Sequence, residues 1–250
     1  MRIAHISDLH INSAWFDPIW AENLLRLLER FRPEIVIATG DLTDEGYWSE
    51  YQEVACYFKR IEVATKIVVP GNHDARNEGD LIFEELFGTR TPRFENSELV
   101  ILGVDSTQPD LEEGHVGRET YPLIRETFCG REGKLKILAL HHHIVPVPGT
   151  GRERDIPVDA GDLMQLIDEL GIHLVLSGHK HKAWLWKVNG TYYITAGTAT
   201  THRLKGKDRP SFNLLEVVEE GVRLVRVNVA DGSHLEGRLL QSFAENLANS

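Results

Sequence analysis

Short apolar runs rich in β-branched residues alternate with stretches of helical spacing through the first two thirds of the chain. "RIAHIS", "EIVIATG", "TKIVVPG", "LKILAL" and "IHLVLSG" read as strands. "DPIWAENLLRLLERF" reads as a helix, with Asp17 at the N-cap and Pro18 at the first helical position. Its apolar stripe is Ile19, Trp20, Leu24, Leu27, Leu28 and Phe31. "YWSEYQEVACYFKRI" is a second helix, and a third spans about 159–170, closed by Gly171. This alternation predicts an α/β layered domain.

The pattern then changes. "KAWLWKVNGTYYITAG" reads as two strands around Asn189-Gly190, a strong hairpin dipeptide, and "SFNLLEVVEEGVRLVRVNV" as a strand pair turning near Glu220-Gly221. In the tail, Leu235, Leu239, Leu240, Phe243 and Leu247 have helical spacing, so a C-terminal helical tail is expected, docked on the domain or forming a homodimer contact. No polar linker or low-complexity stretch divides the chain, so residues 1–250 are expected to form a single domain. Its motif-bearing core is about 2–200, and closing strands and tail occupy 210–250.

Composition narrows the classes of function. Charged residues at 26% and hydrophobic ones at 42% are ordinary for a globular protein, and no apolar run reaches the ~20 residues of a membrane span. The opening "MRIAHISDLH" has no apolar leader, and cytoplasmic residence is the expectation. A net charge of −11 argues against broad nucleic-acid contact, despite the basic stretch "HRLKGKDR" at 202–209. Cys56 and Cys129 have no metal-like spacing and are expected to be half-buried thiols.

The chemistry sits at the strand ends. After the five apolar runs come, in order, Asp8 and His10; Asp41 and Asp44; Asn72, His73 and Asp74; His141, His142 and His143; and His179 and His181. In an open α/β sheet the ligand crevice lies beyond the carboxyl ends of the strands, so clusters remote in sequence converge there. Carboxylate, amide and imidazole donors without thiolate suit Mn, Fe, Co, Ni or Zn. The set is too large for one open tetrahedral site and suits two adjacent divalent ions sharing a carboxylate. Two such ions carry a charge of about +4, Asp8 and Asp41 return −2, and the surplus suits hydroxide plus a phosphodiester monoanion; it would also tolerate a monoester dianion, so the count gives the reaction class and leaves a phosphomonoesterase open.

In the histidine triplet, alternation puts His141 and His143 on one face of an extended chain and His142 on the other. His141 is the first polar residue after its run and so the expected ligand. His142 is expected either to support a ligand from behind or to pack on the sheet, and His143 to sit at the pocket edge and touch substrate.

As an ordered set, "DLH", "GDLTD", "GNHD", "LHHH" and "SGHKH" resemble the calcineurin-like metallophosphoesterase superfamily, in its class III cyclic nucleotide phosphodiesterase branch. The resemblance covers roughly residues 2–200. It implies a four-layer αββα sandwich of two mixed β-sheets flanked by helices. It further implies one ion on Asp8, His10 and His181, another on Asn72, His141 and His179, and Asp41 bridging. His73 would be a non-ligand that stabilises the transition state and protonates the leaving oxygen. Asp44 would orient that imidazole, although it is also placed to cap the following helix. Asp74 is expected to stabilise its turn.

The implied activity is hydrolysis of a small phosphodiester, cyclic nucleotides included. A nuclease would need a basic groove or a capping domain, and a non-catalytic scaffold would be expected to have lost ligands or His73. The Pro- and Gly-rich stretch 144–161 is long for a connection and a candidate lid, with Arg152 and Arg154 as phosphate contacts. His115 in the 105–117 loop, and His202 and Arg203 after a strand, are further candidate substrate contacts.

Overall fold

The computed structural model describes residues 1–151 and 155–241. In chain order the elements are β1 (Arg2–Ile6), α1 (Pro18–Phe31), β2 (Ile35–Thr39), α2 (Trp48–Lys59), β3 (Thr65–Val69), α3 (Gly79–Phe87), β4 (Arg93–Glu95) and β5 (Leu99–Gly103). Then follow α4 (Tyr121–Phe128), β6 (Leu135–Ala139), α5 (Ala160–Glu169), β7 (Leu174–Ser177), β8 (Trp184–Val188), β9 (Thr191–Thr195), β10 (Ser211–Val218), β11 (Gly221–Asn228) and β12 (His234–Gln241).

The strands form two mixed six-stranded sheets, ordered β12-β11-β10-β1-β2-β3 and β4-β5-β6-β7-β9-β8. β1, β2 and β3 run parallel in the first, and β5, β6, β7 and β9 in the second; antiparallel strands close both edges of the second sheet and one edge of the first, whose other edge is β3. Alternation along each strand sends neighbouring side chains to opposite faces. Ile3, Ile35, Ile37 and Ile67 thus meet Leu99, Ile101, Ile137, Leu174 and Ile194 in the core between the sheets. Ala4, Ile6, Val36, Ala38 and Val68 face α1, α2 and α3, while Val100, Leu102, Leu138 and Val175 face α4 and α5. The result is the αββα sandwich expected from the motifs.

Several local expectations are corrected. The tail forms a strand up to Gln241, paired antiparallel with β11; the remainder of the expected helix, with Phe243 and Leu247, lies outside the described residues. Leu240 is buried while Leu235 and Leu239 are exposed, so alternation overrides the helical spacing. β12 takes up the outer edge of β11, and Arg226 pairs with Glu236 across the ladder at 3.3 Å. In α1, Asp17 does cap the N-terminus, but Ile19 is 69% exposed and Ala21 takes the place on the buried face. Cys56 and Cys129 are both exposed and free.

The 144–161 stretch is strapped down where it is described. Trp186 Nε1 donates to the Pro146 carbonyl and Lys182 Nζ to that of Pro148, each at 2.8 Å; further on, the Val158 N–H donates to the Gly114 carbonyl at 2.8 Å. Arg152 and Arg154 lie outside the described residues. Among the described residues no helix is long and apolar enough to cross a membrane.

Candidate metal centre

The parallel strands of both sheets end on the same side of the sandwich, and the loops leaving β1, β2, β3, β6 and β7 meet there. Asp74, fully buried, ties two of these loops together. Its carboxylate accepts the N–H groups of Leu42 (3.0 Å), Thr43 (2.8 Å) and Gly71 (2.9 Å) and the Thr43 hydroxyl (2.8 Å). Gly71 and Gly178 permit the close approach: a Cβ on Gly71 would strike Asp41, and one on Gly178 would strike Ser7 and Asp8. Asp8, His10, Asp41, His179 and His181 all hold left-handed backbone, with φ between 40° and 72°. Such conformations cost about 1–3 kcal/mol each and concentrate where a site demands them. Loop-to-loop bonds offset the cost, among them Asp8 N–H to the Gly40 carbonyl (3.0 Å) and His10 N–H to the Asp41 carbonyl (2.9 Å).

Seven of the strand-end residues converge into two groups that share Asp41. In one, His10 Nε2 lies 3.1 Å from His181 Nε2 and 3.6 Å from Asp41 Oδ2, and His181 Nε2 lies 3.4 Å from Asp8 Oδ1. In the other, His141 Nε2 lies 3.0 Å from Asn72 Oδ1, 3.2 Å from His179 Nδ1 and 3.4 Å from Asp41 Oδ1. His179 Nδ1 and Asn72 Oδ1 are 2.9 Å apart. Each carboxylate oxygen of Asp41 therefore faces a different group.

These residues fit a pair of divalent ions. Metal–nitrogen and metal–oxygen bonds of about 2.1 Å put neighbouring donors about 3.0–3.4 Å apart, close to the spacings seen. The lone pairs are also aimed correctly. His141 Nδ1 donates to the Thr39 carbonyl (2.7 Å) and His181 Nδ1 to the Arg203 carbonyl (3.1 Å), so each turns Nε2 inward. Burial holds His10, His179 and His181 below the ordinary imidazole value, leaving them neutral as ligands must be.

Without a cation, protons do part of this work. Burial pushes Asp8 up to about 7. Burial also opposes charge on His141 and Asp41, but their mutual attraction prevails, raising His141 to about 9 and drawing Asp41 well below the carboxylate range. A divalent ion must displace the protons on Asp8 and His141. Mn(II) affinity is therefore expected to rise with pH through about 7 and up to about 9, and to level off above. Calorimetry in two buffers of different ionisation enthalpy measures the protons released; none released at neutral pH would contradict this.

The remaining strand-end residues surround the two groups. His73 donates from Nδ1 to the Asp44 backbone carbonyl at 2.5 Å and packs edge-on to His10, ring centroids 4.7 Å apart. The Asp44 carboxylate is 3.7 Å from His73 Nδ1, 3.3 Å from His10 Nδ1 outside hydrogen-bond geometry, and accepts from Arg203 at 3.3 Å. The cap of α2 is Tyr47, not Asp44. His142 is spent on Ser106 Oγ (2.9 Å) and the Glu112 carbonyl (3.1 Å). His143 stacks on His179, and both its ring nitrogens are buried with no hydrogen-bond partner among the described residues. His202 lies apart, bonded to Asp17 at 2.9 Å against the Trp20 ring, and His115 lines a surface hollow with Arg118, Asp159 and Asp162. Two residues that no motif contains, Arg76 and Glu112, reach the centre from outside; only an acidic loop, "DLEEG", hinted at the second.

A profile of the family described as calcineurin-like phosphoesterase matches residues 1–183. The chain belongs to that family. It is a metal-dependent phosphoric ester hydrolase. Among curated proteins, a 3',5'-cyclic-nucleotide phosphodiesterase of Nostoc sp. is 23% identical over 245 residues, 91% of each chain. A probable cyclic nucleotide phosphodiesterase of Vesicomyosocius okutanii is 22% identical, over 88% of this chain and 94% of its own. Among solved structures, a dimetal phosphatase from Danio rerio superposes with a TM-score of 0.73 at 11% identity, over 96% of this chain and 98% of its own. At that identity it attests the fold.

Proposed function

We propose that this calcineurin-like phosphoesterase hydrolyses small phosphodiesters, cyclic nucleotides among them, at a dinuclear centre. The observation that carries the proposal is Asp41: one buried carboxylate, one oxygen towards the Asp8–His10–His181 group and the other towards the Asn72–His141–His179 group. The names of the two bacterial relatives support the substrate class. Two divalent ions, of Mn, Fe, Zn, Co or Ni, would supply Lewis acidity towards phosphoryl oxygens and acidify water.

The chain's own residues do the rest. Asp8 and Asp41 limit the positive surplus to what hydroxide and one phosphate ester, diester or monoester, neutralise. His73, with Nδ1 committed to the Asp44 carbonyl, keeps Nε2 for the leaving oxygen. Arg203, partly exposed beside Asp44, is a phosphate contact, and His143, whose ring nitrogens have no partner among the described residues, is a second contact with substrate. The test is a panel: protein reconstituted with each metal, assayed against cyclic AMP, bis-p-nitrophenyl phosphate, p-nitrophenyl phosphate and single-stranded DNA. Turnover of the two small diesters above the monoester and the DNA is expected. Preference for the monoester would make it a phosphatase, and preference for DNA a nuclease.

A further inference from the structure

Asn72 poses an orientation problem. Rotated by half a turn, its amide would aim N–H donors at His141 and His179 where an acceptor oxygen is needed, and the surrounding hydrogen bonds decide between the two states. Here Nδ2 donates to Glu112 Oε2 at 3.0 Å, and Oδ1 is left facing His141 Nε2 and His179 Nδ1. A carboxylate only accepts, so it selects this state over the other.

Glu112 is in turn held in place. Arg76 donates to its other oxygen, and from its second nitrogen to Glu45 Oε1 (3.0 Å) and the Asp44 carbonyl (3.2 Å). That carbonyl is the one that accepts the hydrogen bond from His73 Nδ1. The Glu112 carbonyl accepts from His142 Nε2, which fixes the backbone of the same loop. One network thus joins the 105–117 loop to a metal-facing amide and to the His73 imidazole.

We propose that Glu112, anchored by Arg76, is a positioning residue that holds the Asn72 amide with its oxygen towards the His141–His179 group. This rests on the dinuclear reading above. The test uses the full chain stripped of metal and titrated with Mn(II) alone by calorimetry, comparing the native protein with Glu112→Ala and Glu112→Gln. The native chain is expected to take up two ions. Glu112→Ala should bind one as the native does and the other about 10–100-fold more weakly, the usual cost of losing a ligand's supporting partner. Glu112→Gln keeps an acceptor for Asn72 and should retain most of the affinity, although its ion pair with Arg76 is gone.

The Glu112 side chain is 56% exposed, so the stripped proteins should unfold at matching temperatures. Native binding of both ions by Glu112→Ala would overturn the proposal. So would an equal loss in Glu112→Gln, which would make the residue a loop tether and nothing more. A native chain that takes up a single ion would overturn the dinuclear reading, and this inference with it.

Discussion

Asp41→Asn is expected to lower kcat/KM by about 10³-fold or more and to weaken both ions at once. The substitution keeps the volume of the side chain and an oxygen for the His73 N–H, which Asp41 Oδ1 accepts at 3.0 Å. What it removes is one carboxylate oxygen and the negative charge. Both groups of donors lose that charge, because His10 and His141 each face a different oxygen of the same side chain. Charge stabilisation of a phosphoryl transition state at such a centre is worth several kcal/mol, and about 4 kcal/mol corresponds to 10³-fold in rate. Loss of His141, by contrast, touches one group and should cost one ion. Metal content by elemental analysis after gel filtration, with kcat/KM on bis-p-nitrophenyl phosphate, separates the two. An Asp41→Asn protein with two ions and a rate within tenfold of native would refute the shared-carboxylate arrangement.

The shared position of Asp41 was legible in the sequence only as chemistry. It follows a buried run and a glycine, as His179 does, and strand ends on one side of a parallel sheet converge whatever the chain length between them. The backbone that aims these donors was not legible. Left-handed φ at Asp8, His10 and His181 leaves no mark in residue type, since the strain is imposed by packing against other loops. Glu112 was hidden for another reason: it lies forty positions from the Asn72 it meets, in a loop with no periodicity to anchor it. The tail failed on period. Leucines four apart suit a helix, but Asp231-Gly232, with φ of 72° at the glycine, supplies a hairpin turn, and the edge of β11 was there to be paired. α3, α4 and β5 went unmarked because none ends in a group of candidate ligands. His202 follows a strand as the candidate ligands do, and Asp17 and Trp20 engage its imidazole.

His73→Ala is expected to leave two ions bound and to lower kcat by about 10²–10⁴-fold on a cyclic nucleotide, the range for loss of a general acid. The structure gives two reasons for separating this residue from the ligands. Its Nδ1 proton is committed to the Asp44 carbonyl, which can only accept, so the ring enters the site with one nitrogen to spare. Its backbone N–H, which the substitution leaves in place, continues to hold Asp41 Oδ1, so the carboxylate between the two groups keeps its support. A proton donor matters most when the departing oxygen is a poor leaving group. A ribose alkoxide needs the proton and p-nitrophenolate hardly does, so His73→Ala should lose much less on bis-p-nitrophenyl phosphate than on cyclic AMP. Equal losses on the two esters would assign His73 to charge stabilisation, and loss of an ion would make it a ligand; either result would remove the proton from its role. The unequal loss would locate general-acid catalysis in the "GNHD" loop, one residue beyond the amide that Glu112 holds in place.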